Sequence, residues 1–405
     1  MTEQTLSLIN RAMDEQLKRK AYPEGFPPLP DIPTARYFDA KFAEAEQERL
    51  WRRTWLLAGV ESELSKSGAY VLFEQLGLSI IILRGQDGAI RAFHNVCRHR
   101  ASTLLSQPKG DVSRSIVCPY HAWSYSLDGR LLSVPEAHDF ACLDKSRRGL
   151  APVRCETWRG LVFINLDDAA GGLADFMAPV GQQTAGFPLE TVTVHDHFFV
   201  EMECNWKLAY HNFLEAYHVL MVHPQSLGQV LNPRSLVISL LQNGHARNAV
   251  NKPKADSIYS AEVICPEPVD ELFSRFTVSM INFPNTFFAL DASGFAFQTF
   301  WPAGVNRSIL EVRLVGWEGA SADAAYWSQM RTTIESILAE DLRLFAGIQR
   351  GVASGATPRM LAGYQERAIY WFEEELDRTI GADAIPDGME VAQVLSGQVG
   401  RYATS

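Results

Sequence analysis

The feature that most constrains this chain is a double pair of metal-binding side chains: Cys97-Arg-His99 and, after 18 intervening residues, Cys118-Pro-Tyr-His121. Two thiolates and two imidazoles can hold one tetrahedral zinc ion. They can equally hold a [2Fe–2S] cluster, with both cysteines on one iron and both histidines on the other. Zinc sites tend to group like ligands, whereas here each pair mixes one cysteine with one histidine. Imidazole in place of thiolate leaves a cluster less negative and raises its potential, which suits a relay for single electrons. Around the two pairs, from Trp55 to about Asp167, run short β-rich stretches: GAYVLFEQL, LSIIILRG, AIRAFHNV, SIVCPYHAWSYSL and GLVFINL. Glycine-containing turns such as QDGA and LDGR separate them, so the ligand loops are expected on an all-β domain of short strands.

A second constellation lies at residues 205–223, NWKLAYHNFLEAYHVLMVH. His218 and His223 are five positions apart, and on a continuous helix their rings would point in different directions. They converge only if the helix ends or distorts between them, and Pro224 marks such an end. Glu215, three residues before His218, falls on the same helix face. Two histidines and one carboxylate make the facial triad of non-heme iron(II) oxygenases, which leaves open positions for O₂ and substrate. An isolated H-x₄-H is weak evidence by itself, since two unrelated histidines near a helix end show the same spacing.

The 405 residues are enough for two domains. Residues 22–34, YPEGFPPLPDIPT, read as an extended arm laid over a surface of this or another subunit. Residues 38–53 read as an amphipathic helix. Residues 168–190 are Ala/Gly-rich and irregular, which marks a boundary. VTVHDHFFVEMECN reads as a strand pair entering a helix from Trp206 to Val222. Residues 225–256 lack a period and read as a flexible cover over a site. Strands follow over 277–316, and helices over 322–350 and 361–380. The expected class is α+β: an arm and helix over 1–45, an all-β domain over 46–168, and a helix-flanked antiparallel sheet over 169–405.

These segments resemble a known family, the alpha (terminal oxygenase) subunits of Rieske-type, ring-hydroxylating non-heme iron oxygenases. NVCRHRAS and CPYHAWSYSLDGRL follow that family's cluster-ligand loops, with Ala122 where glycine is common and a spacer about one residue longer than usual. NWKLAYHNFLEAYHVLMVH follows its N-W-K-x₄-N-F-x-E-x-Y-H-x₄-H signature. The resemblance runs from about residue 35 to 380. It implies a Rieske [2Fe–2S] domain liganded by Cys97, His99, Cys118 and His121, with Trp123 packed beside the cluster. It implies a helix-grip-like catalytic domain holding mononuclear Fe(II) through His218 and His223. The third ligand comes from SILAEDLRLFAGIQRG, where Asp341 matches best and Glu340 is the runner-up. Glu215 takes the family's bridging role, linking the iron site to a cluster histidine of a neighbouring subunit, and Asn212 stands near the iron. His211 departs from the family, which commonly places an acidic residue before Asn212.

The same resemblance implies partners. Within one subunit of the family the two centres are too far apart for fast transfer, so a head-to-tail homotrimer is expected, with NAD(P)H electrons delivered by a flavin reductase, a ferredoxin or both. No G-x-G-x-x-G in a strand–turn–helix setting suggests a nicotinamide site on this chain. Phe213, Phe283, Phe287, Phe295, Phe297 and Trp301 are expected to wall the pocket. They suit an aromatic substrate for ring hydroxylation by a mono- or dioxygenase or, alternatively, a quaternary ammonium or methylated amine held by cation–π attraction for hydroxylation or oxidative N-demethylation. A net charge of −10 argues against nucleic acid, leaving Arg52, Arg53, Arg147 and Arg148 as candidates for docking an acidic protein. No stretch of 18 apolar residues suggests a membrane span and no apolar N-terminal region suggests a signal, so a cytoplasmic protein is expected. Cys142, Cys155, Cys204 and Cys265 have no ligand pattern and are expected to be buried small apolar residues.

Overall fold

Between Leu56 and Asn165 the short apolar runs form ten strands: β1 (Leu56–Val60), β2 (Ala69–Phe73), β3 (Ile80–Arg84), β4 (Ile90–His94), β5 (Lys109–Asp111), β6 (Ser115–Val117), β7 (Ser124–Ser126), β8 (Leu131–Ser133), β9 (Pro152–Trp158) and β10 (Leu161–Asn165). The computed structural model describes residues 3–252, 275–291, 293–317 and 323–403; Cys265 and positions 253–256 of the expected cover lie outside them. Seven of the strands make an antiparallel sheet of order β1-β10-β9-β4-β3-β2-β5, and β6-β7-β8 make a smaller one. Ile81 opposite Phe93 sets the β3–β4 register. Tyr70, Ile81, Leu83 and Phe93 share one core cluster with Ile116, Trp123, Tyr125 and both motif cysteines. The loops that carry Cys97, His99, Cys118 and His121 therefore grow directly out of the packed interior of this all-β unit.

The chain divides into two compact units, Arg52–Ala174 and a second formed by Met1–Trp51 with Asp175–Ser405. The N-terminal residues, read above as a separate arm and helix, thus belong with the second half. Helix α1 (Glu3–Lys18) is followed by the proline-rich arm, which buries Phe26 and Leu29 and pairs Ile32–Pro33 with Arg359–Met360. Helix α2 (Ala40–Ala45) starts at Asp39, whose side chain accepts from the Phe42 N–H, and widens into a π-turn over Glu46–Leu50.

The second unit is built on a seven-stranded antiparallel sheet, β11 (Thr193–Met202), β12 (Asn232–Leu240), β13 (Ala246–Asn251), β14 (Phe276–Asn282), β15 (Thr286–Leu290), β16 (Phe295–Pro302) and β17 (Ser308–Gly316), in the order β11-β17-β16-β15-β14-β13-β12. Its described helices are α3 (Leu173–Thr184), α4 (Trp206–Phe213), α5 (Val219–Val222), α6 (Leu227–Val230), α7 (Ala324–Ala353) and α8 (Arg367–Ile380), giving the expected α+β class. Buried ion pairs tie the N-terminal segment down: Arg36 to Glu373 and Asp377, and Glu46 to Lys207. Removing one partner of such a pair costs about 3–5 kcal/mol, because the other charge is left buried alone.

Four expectations are corrected. Residues 173–184 of the supposed irregular boundary are helical. VTVHDHFFVEM is one long strand, its alternation broken by a bulge between Val194 and Asp196 rather than by a turn. Residues 232–240 and 246–251 are sheet strands rather than a loose cover; they are buried along nearly their whole length, so the sequence shows no two-residue alternation there. Cys142 is exposed and Cys155 half-buried, so of the four spare cysteines only Cys204 is seen fully buried.

Candidate metal centres and substrate cavity

The two cysteine-containing loops share one backbone design. The Ala101 N–H donates to the Cys97 carbonyl at 3.1 Å and the Cys97 N–H to the Ser102 carbonyl at 2.8 Å; Ala122 and Cys118 do the same at 3.0 Å, with Trp123 accepting at 2.8 Å. Ala101 and Ala122 both have φ +56°, a left-handed conformation that costs alanine about 1–2 kcal/mol. That explains why glycine suits position 122 and why the alanine here is a tolerable departure. The two imidazoles face each other, with ring centroids 4.7 Å apart, and Trp123 stacks on His99 at 4.7 Å and 6°. Tyr125 accepts the Arg98 N–H at 3.0 Å and lies 3.2 Å from Cys97 Sγ. Burial works to raise the Cys118 thiol, but the Tyr120 and His121 N–H groups aimed at its sulfur outweigh it and hold it below its ordinary value.

The donor set fits a dinuclear cluster better than one ion. Tetrahedral zinc, with Zn–S about 2.3 Å and Zn–N about 2.0 Å, would bring all four donors within about 4 Å of one another. Among the described residues the one set of three such donor atoms within 4.8 Å lies elsewhere, so these four do not converge on a point. Instead the sulfurs pair, the imidazoles pair, and His99 Nδ1 is buried with no hydrogen-bond partner. A buried, unpartnered imidazole nitrogen is costly unless something binds it.

That other set is His218, His223 and Asp341. Asn205 starts α4 by accepting the Lys207 N–H. The helix stops at Phe213, and Glu215 Oε2 accepts the Tyr217 and His218 N–H groups, opening the single turn of α5. His218 and His223 flank that turn as its two caps, which resolves the five-residue spacing. Both rings turn Nε2 toward Asp341 Oδ1, at 3.9 Å from His218 and 3.1 Å from His223. Asp341 Oδ1 is buried and has no aligned hydrogen bond. An ion held at about 2.1 Å by each donor separates neighbouring donors by about 3 Å, so this corner has the dimensions of a facial triad.

Behind the rings stand two more carboxylates. Glu215 Oε1 takes the His218 Nδ1 side, and Glu340 Oε2 lies 2.6 Å from His223 Nδ1 and accepts from Ser226 Oγ at 2.5 Å. Glu340, the runner-up for the ligand, therefore faces the back of His223, while its neighbour Asp341 faces the donors. The signal that separates them was present in the chain. The buried stripe of α7 runs Met330, Ile334, Leu338, Asp341, Phe345, and Asp341 alone puts a carboxylate where an apolar residue belongs. Sequence reasoning also missed Tyr125 and Ser226, which only tertiary contacts reveal.

The triad borders a cavity of about 140 Å³. Its floor is one face of the sheet: register places Asn248 opposite Ser279, Ser279 opposite Ala289, and Phe287 opposite Gln298. Asn212, Phe213 and Glu215 also line it. Asn248 Nδ2 donates to the Leu214 carbonyl at 3.1 Å, leaving its buried Oδ1 without a partner, and Thr277 Oγ1 is likewise unpartnered. Of the six aromatics expected, only Phe213 and Phe287 line the cavity; Phe295, Phe297 and Trp301 are packed in the core on strand positions that register turns away, and Phe283 is buried in the turn after β14. No lysine or arginine is among the described lining residues. His211 lies 3.1 Å from buried Glu373, in the ion network rather than at the cavity.

Known proteins match on both units. The model of the Rieske [2Fe-2S] domain matches residues 54–144, and that of the ring hydroxylating alpha subunit (catalytic domain) matches residues 189–382. The carnitine monooxygenase oxygenase subunit of Escherichia coli (strain K12) is 37% identical over 198 residues, which is 48% of this chain and 52% of that protein, so the chain spans about half the length of such relatives. The glycine betaine monooxygenase oxygenase subunit of Pseudomonas aeruginosa (strain UCBPP-PA14) is 25% identical over 395 residues, covering 87% of this chain and 90% of the relative. A solved quaternary ammonium Rieske monooxygenase superposes with a TM-score of 0.77 at 23% identity, over 89% of this chain and 100% of the other. Naphthalene 1,2-dioxygenase from a Rhodococcus species gives 0.75 at 19%, over 94% and 98%. Both structural likenesses speak to the fold alone.

Proposed function

The chain belongs to the alpha subunits of Rieske-type, ring-hydroxylating non-heme iron oxygenases, and from that premise we propose that it is a terminal oxygenase that uses O₂ and reductase electrons to oxidise a small substrate bearing a quaternary or methylated ammonium group. The observation that carries the oxygenase reading is the convergence of His218, His223 and Asp341 at the wall of a buried cavity. When bound, a [2Fe–2S] cluster on Cys97, His99, Cys118 and His121 supplies single electrons, and Fe(II) on the triad supplies O₂ activation. Monooxygenation then takes two electrons and two protons from outside, placing one oxygen atom in the substrate and one in water.

The chain's own side chains do the positioning. Glu215 and Glu340 each hold an Nδ1–H, which fixes the tautomer and leaves Nε2 free to ligate. Phe213 and Phe287 keep water from one wall and offer ring faces to a cation. The ammonium reading draws on the relatives' named substrates, on the carboxylate of Glu215 in the lining, and on the lack of a described basic lining residue to hold an aromatic acid. The loss of four of the six expected aromatic walls bears on both readings alike, and the relatives' named substrates favour the ammonium one.

A head-to-tail ring of copies is part of the proposal. Tyr217 and Met221, beside His218, are 71% and 79% exposed; Val117 and Tyr120, beside the cluster ligands, are 52% and 54% exposed. Solvent-facing apolar groups at both ligand sets suit docking of one copy on the next. A carboxylate has about four lone-pair sites, and Glu215 uses three, so one remains for an imidazole N–H of the neighbour. Exposed Arg147 and Arg148 suit an acidic reductase or ferredoxin. No helix among the described residues is long and apolar enough to cross a membrane. The test is turnover with a surrogate reductase on parallel panels of methylated ammonium compounds and aromatic acids. An oxidised or demethylated product from the first panel is expected, and product from aromatic acids alone sinks the substrate reading.

A further inference from the structure

Away from the metal centres, a second cavity of about 400 Å³ lies between α1, the start of α8 and the C-terminal segment. Leu236 of β12 lines both it and the substrate cavity. Three arginines, Arg19, Arg367 and Arg401, and two tyrosines, Tyr364 and Tyr402, surround it. Arg367 is only 4% exposed. Its two terminal nitrogens donate to the Tyr364 and Ile238 carbonyls at 2.9 and 2.8 Å, so its partners are neutral. Arg19 donates to Gln16 Oε1 and the Ala21 carbonyl, and Arg401 to Gln398 Oε1. The guanidinium carbons of Arg19 and Arg367 sit 4.9 and 4.1 Å from the same Tyr364 ring centroid, two cations sharing one π system.

Such crowding is expensive without a counter-charge. Burial, with Arg19 and Arg401 adding repulsion, pulls Arg367 down to about 10. The lining's one acid, exposed Glu15, forms no ion pair with any of the three among the described residues. A guanidinium carries five N–H donors in a fork matched to carboxylate and phosphate, and each of the three has donors to spare.

We propose that this cavity is a binding site for a multivalent oxyanion, a phosphate ester or a di- or tricarboxylate, held by Arg19, Arg367 and Arg401. Calorimetric titration of the metal-loaded full-length protein tests it, with pyrophosphate and citrate as probes and sodium chloride matched for ionic strength. Saturable binding of one anion per chain is expected, and which probe binds more tightly separates phosphate from carboxylate chemistry. Arg367→Met should weaken binding by roughly tenfold or more, but a buried change also risks the fold. The doubly substituted Arg19→Gln, Arg401→Gln protein alters only partly or fully solvated side chains and should lose binding while keeping the cluster spectrum and turnover. No saturation with either probe, or binding by the double variant equal to wild type, overturns the proposal.

Discussion

Replacing Glu340 by glutamine should loosen the mononuclear iron without expelling it. Its Oε2 lies 2.6 Å from His223 Nδ1 and takes the Ser226 hydroxyl at 2.5 Å. The substitution keeps an acceptor at nearly the same place and removes the charge. Hydrogen bonds to a charged group contribute about 1.5–3 kcal/mol, against about 1 kcal/mol for neutral ones. The difference corresponds to between about two- and thirtyfold in affinity. Because the Glu340 side chain is 26% exposed, solvent screens part of that charge, and about a tenfold loss is expected. That agrees with the lower end of the about 10–100-fold cost of removing groups that orient metal-bound histidines. The assay is anaerobic Fe(II) titration of metal-free triad sites against a competing chelator, with the visible spectrum of the cluster as control. Wild-type affinity refutes the orienting role. Complete loss, equal to that of Asp341→Ala, makes Glu340 a ligand and refutes the division of labour between these two neighbours.

Other expectations follow from single contacts. His218→Ala should abolish turnover and leave the cluster's colour intact; colour lost together with turnover contradicts two independent sites. Tyr125→Phe removes the hydroxyl beside Cys97 Sγ, and the cluster potential should fall by on the order of 50 mV in a redox titration. Burial pushes the His245 imidazole down to about 4, its Nδ1 accepting the Phe283 N–H. The fold therefore disfavours the protonated form, so the stability His245 supports is complete above its unfolded value of about 6.5 and lost as pH falls toward 4, a change of about 3 kcal/mol. Urea unfolding from pH 7 to pH 4 should show that slope in wild type and a shallower one in His245→Gln; equal slopes rule it out.

Both metal motifs were legible because their donors are local in sequence: Cys97 and His99, Cys118 and His121, His218 and His223 each lie within one loop or one helical turn. The all-β and α+β textures were legible for the same reason, since strand and helix periods are local. What was not legible depends on register. Phe295 and Phe297 look like pocket residues in a list, yet pairing of β15 with β16 sends Phe287 and Gln298 to the cavity and those two to the core. Residues 232–240 and 246–251 passed for a loose cover because they are buried along nearly their whole length, so no two-residue alternation marks them as strands. Glu340 and Ser226 are 114 residues apart and meet only through folding. Asp341 lies between these cases: its helical stripe was readable, but its meaning depends on where α5 puts two histidines.

The central claim is that one polypeptide carries two chemically distinct iron centres, and the most direct test is metal and sulfide analysis together with the visible spectrum of protein reconstituted with iron and sulfide. The expected result is a coloured protein with about three irons and about two acid-labile sulfides per chain, falling to about two irons in His218→Ala. A colourless protein that takes up zinc at Cys97, His99, Cys118 and His121 contradicts the account.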